Sequence, residues 1–184
     1  TVGLRLRILE PESPDATWAV EALVYDIDES SLVVPMADAL GRAWALVGTG
    51  EMADALTAFD AVIASNGMLP FGLYHKALAL ALAGDFEGAE GILSLSPEQG
   101  MQPTRRALMA RAQVLSQLGR NADAVTALDA AFPGTTDPAI TDLITRLRAG
   151  EPVPFSLIAG PAAGLAEAHF GLAASLVSEV DELT

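Results

Sequence analysis

Apolar residues recur along this chain at helical spacing, in blocks that repeat. Arg42-Ala43-Trp44-Ala45-Leu46 runs to Gly50, Lys76-Ala77-Leu78-Ala79-Leu80 to Gly84, and Arg111-Ala112-Gln113-Val114-Leu115 to Gly119, the glycines standing 34 and then 35 residues apart. Each glycine closes an apolar helical pattern, where a left-handed residue without a Cβ meets no clash, and a second amphipathic stretch follows at once. The pattern predicts helical hairpins. Five residues past each glycine stands alanine, at Ala55, Ala89 and Ala124, and four further on a large apolar residue, at Phe59, Leu93 and Leu128. The small residue lets the second helix approach the first, and the large one fills the remaining gap.

The flanks read differently. Ser13 or Asp15 is expected to cap a helix running to about Tyr25, with Trp18, Ala22 and Tyr25 on one face. The acidic stretch Asp26 to Ser31 then links it to a first repeat helix that starts near Val33 despite Pro35. After the third pair, Asp137 to Ala149 predicts a short helix ending at Gly150. Residues 151–161 hold three prolines around Val153, Phe155, Leu157 and Ile158, which suits an extended apolar strap lying against the array. A last helix is expected from about Ala162 to Val177, with a frayed acidic tail after it.

The period of 34, a small residue on the first helix (Ala43, Ala77, Ala112), glycine at the turn, and alanine early on the second helix together resemble the tetratricopeptide repeat family. Leu46, Leu80 and Leu115 take the next large position in that frame. Two departures stand out: Arg42, Lys76 and Arg111 replace a customary leucine, and Gly67, Met101 and Thr136 replace the closing proline. The resemblance covers residues 36–136 and implies an all-α fold, a right-handed superhelical array of antiparallel helix pairs forming an α-solenoid. It implies one domain over 1–184: a flanking helix and linker (1–35), repeats over 36–69, 70–104 and 105–136, and atypical C-terminal helices (137–184). Within the last of these, Leu172, Ala173 and Leu176 would make the final helix a fourth first-helix. The segments Tyr74-His75-Lys76-Ala77-Leu78 and Gly164-Leu165-Ala166-Glu167-Ala168 are similar to the C-terminal part of long proteobacterial tetratricopeptide proteins of unassigned role. That similarity implies a bacterial and exported, periplasmic setting, while leaving the cytoplasm open.

Composition narrows the partners. The chain has 184 residues and a formal net charge of -14, which disfavours a phosphate backbone or an acidic membrane surface. Half of it is apolar but only 5% aromatic, so its core is built from Ala, Leu and Val. It has no cysteine, hence no thiol chemistry, and its opening residues do not read as a basic-then-apolar leader, so any signal peptide is expected to have been removed or never to have existed. Uncharged apolar stretches such as Ala77 to Ala83 fall far short of the roughly 20 residues of a membrane span.

No catalytic constellation emerges. Gly48-Thr49-Gly50-Glu51-Met52-Ala53 follows a helix, whereas a dinucleotide-binding glycine motif follows a strand. The calcium-loop-like start at Asp26 has Ser31 where glycine is needed and Ala37 where glutamate is needed. His75 and His169 lack partners at metal-ligand spacing. We therefore expect no enzyme, no metal and no cofactor. The family resemblance places a concave groove on Leu40, Trp44, Val47, Phe71, Tyr74, Leu78, Arg106, Met109 and Gln113, grading from apolar to polar and basic. The family's carboxylate clamp is missing, since Leu40 and Trp44 stand at its first two positions. The implied function is a scaffold for an apolar helix or extended peptide of an unidentified protein, and Trp44→Ala should then abolish binding with helicity intact. Against this stands a structural role, as part of a longer solenoid or a homo-oligomer, with the groove filled by the chain's own flanks.

Overall fold

In a computed structural model of the chain, the backbone is described for residues 3–9, 19–25 and 33–181 and the side chains for residues 37–174. The chain divides into two units, Thr1–Pro35 and Met36–Thr184. The smaller holds an antiparallel hairpin. Strand β1 (Gly3–Leu9) pairs with β2 (Ala19–Tyr25) in a register that sets Gly3 beside Tyr25 and Leu6 beside Ala22. A strand thus replaces the expected flanking helix over Ala19–Tyr25; Ser13, Asp15, Trp18 and the linker Asp26 to Ser31 lie outside the described residues. The physical reason is a two-residue period. Leu4, Leu6 and Ile8 alternate with Arg5 and Arg7, and Val20 and Val24 are β-branched, whereas helical spacing rested on three positions only.

From Val33 the described chain is all-α. Helices α1 (Val33–Thr49), α2 (Met52–Ala64), α3 (Leu69–Leu82), α4 (Phe86–Leu93), α5 (Arg105–Gln117), α6 (Asn121–Ala131), α7 (Pro138–Arg148) and α8 (Pro161–Asp181) follow in order. Short turns make neighbours antiparallel, and each helix from α2 to α6 packs on the next. Three of the starts carry side-chain caps: Asp85 accepts from Gly88 N–H, Thr104 from Ala107 N–H, and Asp137 from Ala139 and Ile140 N–H.

The ends of the first helices share one geometry. At α3, Gly84 takes φ 86°, its N–H donates to the Ala81 carbonyl and the Asp85 N–H to the Leu80 carbonyl. Such a left-handed closure satisfies carbonyls that the helix leaves unpaired. The same pair of bonds closes α1 at Gly50, α5 at Gly119 and α7 at Gly150. Helix α7, packed on α6, therefore continues the series of first helices, and α8 does not.

The periodic small and large residues meet as their spacing requires. Ala43, Ala77 and Ala112 on first helices, and Ala55, Ala89 and Ala124 on second helices, are all buried, with Phe59, Leu93 and Leu128 beside them. Leu80 and Leu115 are buried and Leu46 half-buried. Successive first helices also touch, α1 and α3 through Trp44 and His75, α3 and α5 directly.

Pro152 and Pro154 keep residues 151–160 non-helical, and that stretch carries the chain back across α5 so that α8 lies on α3 and α1. Leu165, Ala168 and Leu172 join the core formed by Leu40, Trp44 and Leu78. Close approach depends on Gly164, where a Cβ would collide with the Trp44 ring carbons Cζ2, Cζ3 and Cη2. Gly164→Ala is expected to cost about 1–3 kcal/mol by overpacking, read as a lower urea midpoint. An unchanged midpoint would show that α8 does not rest on Trp44 in solution.

Candidate functional site

The nine residues expected to form a groove separate into two groups. Leu40, Trp44, Val47, Leu78 and Gln113 are buried, none more than 8% exposed, whereas Phe71, Tyr74, Arg106 and Met109 are half-buried. The chain's own C-terminal segment accounts for the difference. Helix α8 covers the α1 and α3 part, with Gly164 on Trp44 and Leu165 near Gly41, and the strap covers α5.

Along α5 the strap is held chiefly through its backbone. The Val153 N–H donates to Ser116 Oγ at 2.8 Å, and the Val153 carbonyl accepts from Gln117 Nε2 at 2.7 Å. Gln113 Oε1 accepts from the N–H groups of both Ser156 (3.0 Å) and Leu157 (3.1 Å). At the start of α6, Asn121 Nδ2 donates to the carbonyl of Glu151. Gln113 and Gln117 stand four positions apart, the spacing that lines side chains up along one face of α5, and Asn121 continues the row from the start of α6 beyond the turn at Gly119. An extended segment has no internal hydrogen bonds, so its buried amides need such partners. Val153 sinks into the core of α5 to α7, at 2% exposure, and Ile158 into the other core, at 3%.

Where α8 crosses the starts of α3 and α5, a cavity of about 530 Å³ remains. Phe71 and Tyr74 come from α3, Arg106 from α5, and Glu167, Phe170 and Gly171 from α8. On one wall the Tyr74 hydroxyl donates to Glu167 Oε1 at 2.9 Å, and Arg106 Nε donates to the same oxygen. Burial first, then the Glu167 charge that receives its proton, pushes the Tyr74 hydroxyl well above its ordinary pKa. It stays protonated at every physiological pH. Burial alone would lower the Arg106 pKa, but the bond to Glu167 and its charge outweigh this and raise it. Phe170 is 66% exposed.

Behind this wall lies His75. It is 1% exposed, accepts the Trp44 indole N–H on Nδ1 at 3.3 Å, and therefore carries its proton on Nε2 when neutral. Desolvation lowers its pKa from 6.5 to about 4. His169 is exposed on α8. Among the described residues no group of three His, Asp or Glu side chains is placed to hold a metal ion. Gly48 to Ala53 forms the turn between α1 and α2, with a helix on either side. The described residues contain no helix long and apolar enough to cross a membrane.

Sequence spacing alone did not single out Gln117 and Asn121, or the α8 residues Glu167, Phe170 and Gly171. The first two had a partial signature, amide side chains flanking the turn at Gly119 before a proline-rich strap. The α8 trio had none, because its position depends on where the strap turns the chain. No protein-family model, curated protein or solved structure matches this chain.

Proposed function

We propose that this chain is a protein-interaction scaffold of the tetratricopeptide type rather than an enzyme, built to hold an extended segment along α5 and α6. One observation carries the proposal: Gln113, Ser116, Gln117 and Asn121 engage the backbone of a proline-containing strap, a mode of contact that tolerates many sequences. A partner segment suited to that seat is extended and apolar at the places of Val153 and Ile158. The repeat frame, the recurrent glycine closures and the small-large packing support the family assignment. The exported bacterial setting rests on the sequence similarity.

The burial of Val153 and Ile158 in the two cores favours a second reading, a structural array whose seat its own segment fills, or which copies of the chain exchange between them. Excision separates the two. Residues 152–158 are replaced by a Gly/Ser linker of equal length, and a synthetic peptide of residues 151–160 is offered in trans by calorimetry. The opened chain should bind it, the intact chain should not, and Gln113→Leu in the opened chain should weaken binding roughly tenfold, as expected when two peptide N–H groups lose their shared side-chain acceptor. An opened chain that keeps its helix content yet takes up no peptide leaves the structural role. Dimers of the intact chain in light scattering would point to exchange.

A further inference from the structure

The cavity between α3, α5 and α8 lies apart from the strap's seat, and nothing in the scaffold proposal uses it. We propose that it is a binding site for a small, uncharged and largely apolar molecule, one or two rings or an equivalent aliphatic body. The size fits: about 530 Å³ lies inside the range of roughly 300–1,000 Å³ usual for small-molecule sites. A dry apolar cavity of only about 150 Å³ already admits benzene.

The chemistry of the walls selects against a charged ligand. The Tyr74 proton and the Arg106 guanidinium both point at Glu167, so the polar wall is internally paired. Arg105, also on the rim, is paired to Asp137. An ionic ligand would lose hydration and find its counter-charge already engaged, a balance that rarely favours binding. Apart from Gln102 and Thr104, whose hydroxyl caps α5, the rest of the lining, chiefly Phe71, Met101 and Phe170, is apolar.

A second, independent observation comes from the glycines of α8. Gly164 is required by the Trp44 ring, as shown above. Gly171, two turns on, is not so constrained: the nearest atom its Cβ would meet is Phe71 Cε1 at 3.7 Å, an ordinary contact. Alanine is the better helix former, so packing and propensity both allow a side chain there. Glycine keeps open the space between α8 and the Phe71 ring, which is the floor of the cavity. A large, mostly exposed aromatic, Phe170, stands next to it.

The test is a titration of the intact chain with uncharged Nile red and, in parallel, the anionic dye anilinonaphthalene sulfonate, with methionine methyl resonances recorded by NMR. Nile red should bind saturably and move the methyl signal of Met101, on the cavity wall, while leaving Met52, at the start of α2, in place. Gly171→Leu, which fills the floor, should weaken Nile red at least tenfold without lowering the melting temperature. Should that variant melt early, Gly171→Ala serves instead, with a smaller loss of affinity at equal or higher stability. The proposal is overturned by the absence of saturable Nile red binding, by binding that leaves Met101 unmoved, by equal affinity in both glycine variants, or by a preference for the anionic dye. None of these readouts involves the strap, so peptide binding along α5 stands or falls separately.

Discussion

Trp44→Ala should be among the most destabilising single changes in the helical unit, costing about 3–5 kcal/mol and lowering the melting temperature by on the order of 10 °C. The indole is 1% exposed, stands edge-on to Phe59 with centroids 5.6 Å apart, and carries α8 on its face at Gly164. Truncation removes its apolar surface, leaves a cavity under three helices, and orphans the buried acceptor on His75. This corrects the expectation that Trp44 is a ligand contact whose loss spares the helices. Thermal melts followed by far-UV circular dichroism decide it. A variant that melts within about 2 °C of the native chain would mean that α8 is not seated on the indole, since no buried tryptophan is lost so cheaply. Trp44→Phe, which keeps most of the ring but not the donor, should fall between the two.

His75 should make the helical unit acid-sensitive in a defined window. Its folded-state pKa, about 4, lies below the ordinary 6.5 because burial disfavours the imidazolium. Between those values the unfolded chain binds more protons than the folded one, so stability rises with pH across the window. The contribution is fully present above pH 6.5 and is lost as the pH falls to about 4, amounting to about 3 kcal/mol. Protonation also places a second donor against the Trp44 N–H. Burial alone accounts for the shift, and Glu167 and Arg106, beside neighbouring Tyr74, are paired directly with one another. Urea denaturation at several pH values from 7 to 4 should therefore show a falling midpoint, and His75→Gln should flatten the slope in that window. An equally steep slope in the variant would assign the acid sensitivity to the carboxylates instead.

Much of the helical unit was legible in the sequence because one physical pattern recurs. Ala43, Ala77 and Ala112, the glycines at 50, 84 and 119, and the alanines at 55, 89 and 124 specify close helix contacts and left-handed closures locally. Their neighbours in space are also near in sequence. The strap was legible for the same reason, since Pro152 and Pro154 interrupt a helix locally and Pro161 fits only the opening turn of the next one.

What depends on distant contacts was not. Burial of Leu40, Trp44 and Leu78 by α8 cannot be deduced from helix α1 or α3, since an apolar stripe looks the same whether a partner or the chain itself covers it. The final helix resembled the next in line because Leu172 and Ala173 are spaced suitably. The closure at Gly150 gives that place to α7, and the strap sends α8 elsewhere. At the other end, Trp18, Ala22 and Tyr25 satisfied a helical spacing, while the pairing of residues 19–25 with β1 dictated a strand.

The return of α8 to α1 and α3 has a consequence for cooperativity. An open array of helix pairs is nearly one-dimensional: each pair touches only its neighbours, so the ends can melt while the middle stays folded. Here the Trp44 indole and the Gly164 backbone, far apart along the chain, share one contact, and the strap binds the cores of both halves together. Unzipping from one end exposes apolar surface at the other. The unit therefore melts as a closed circle rather than a row, and the same long-range closure, which must form against the entropy of the intervening chain, makes it slower to fold than its local helix pairs would be alone.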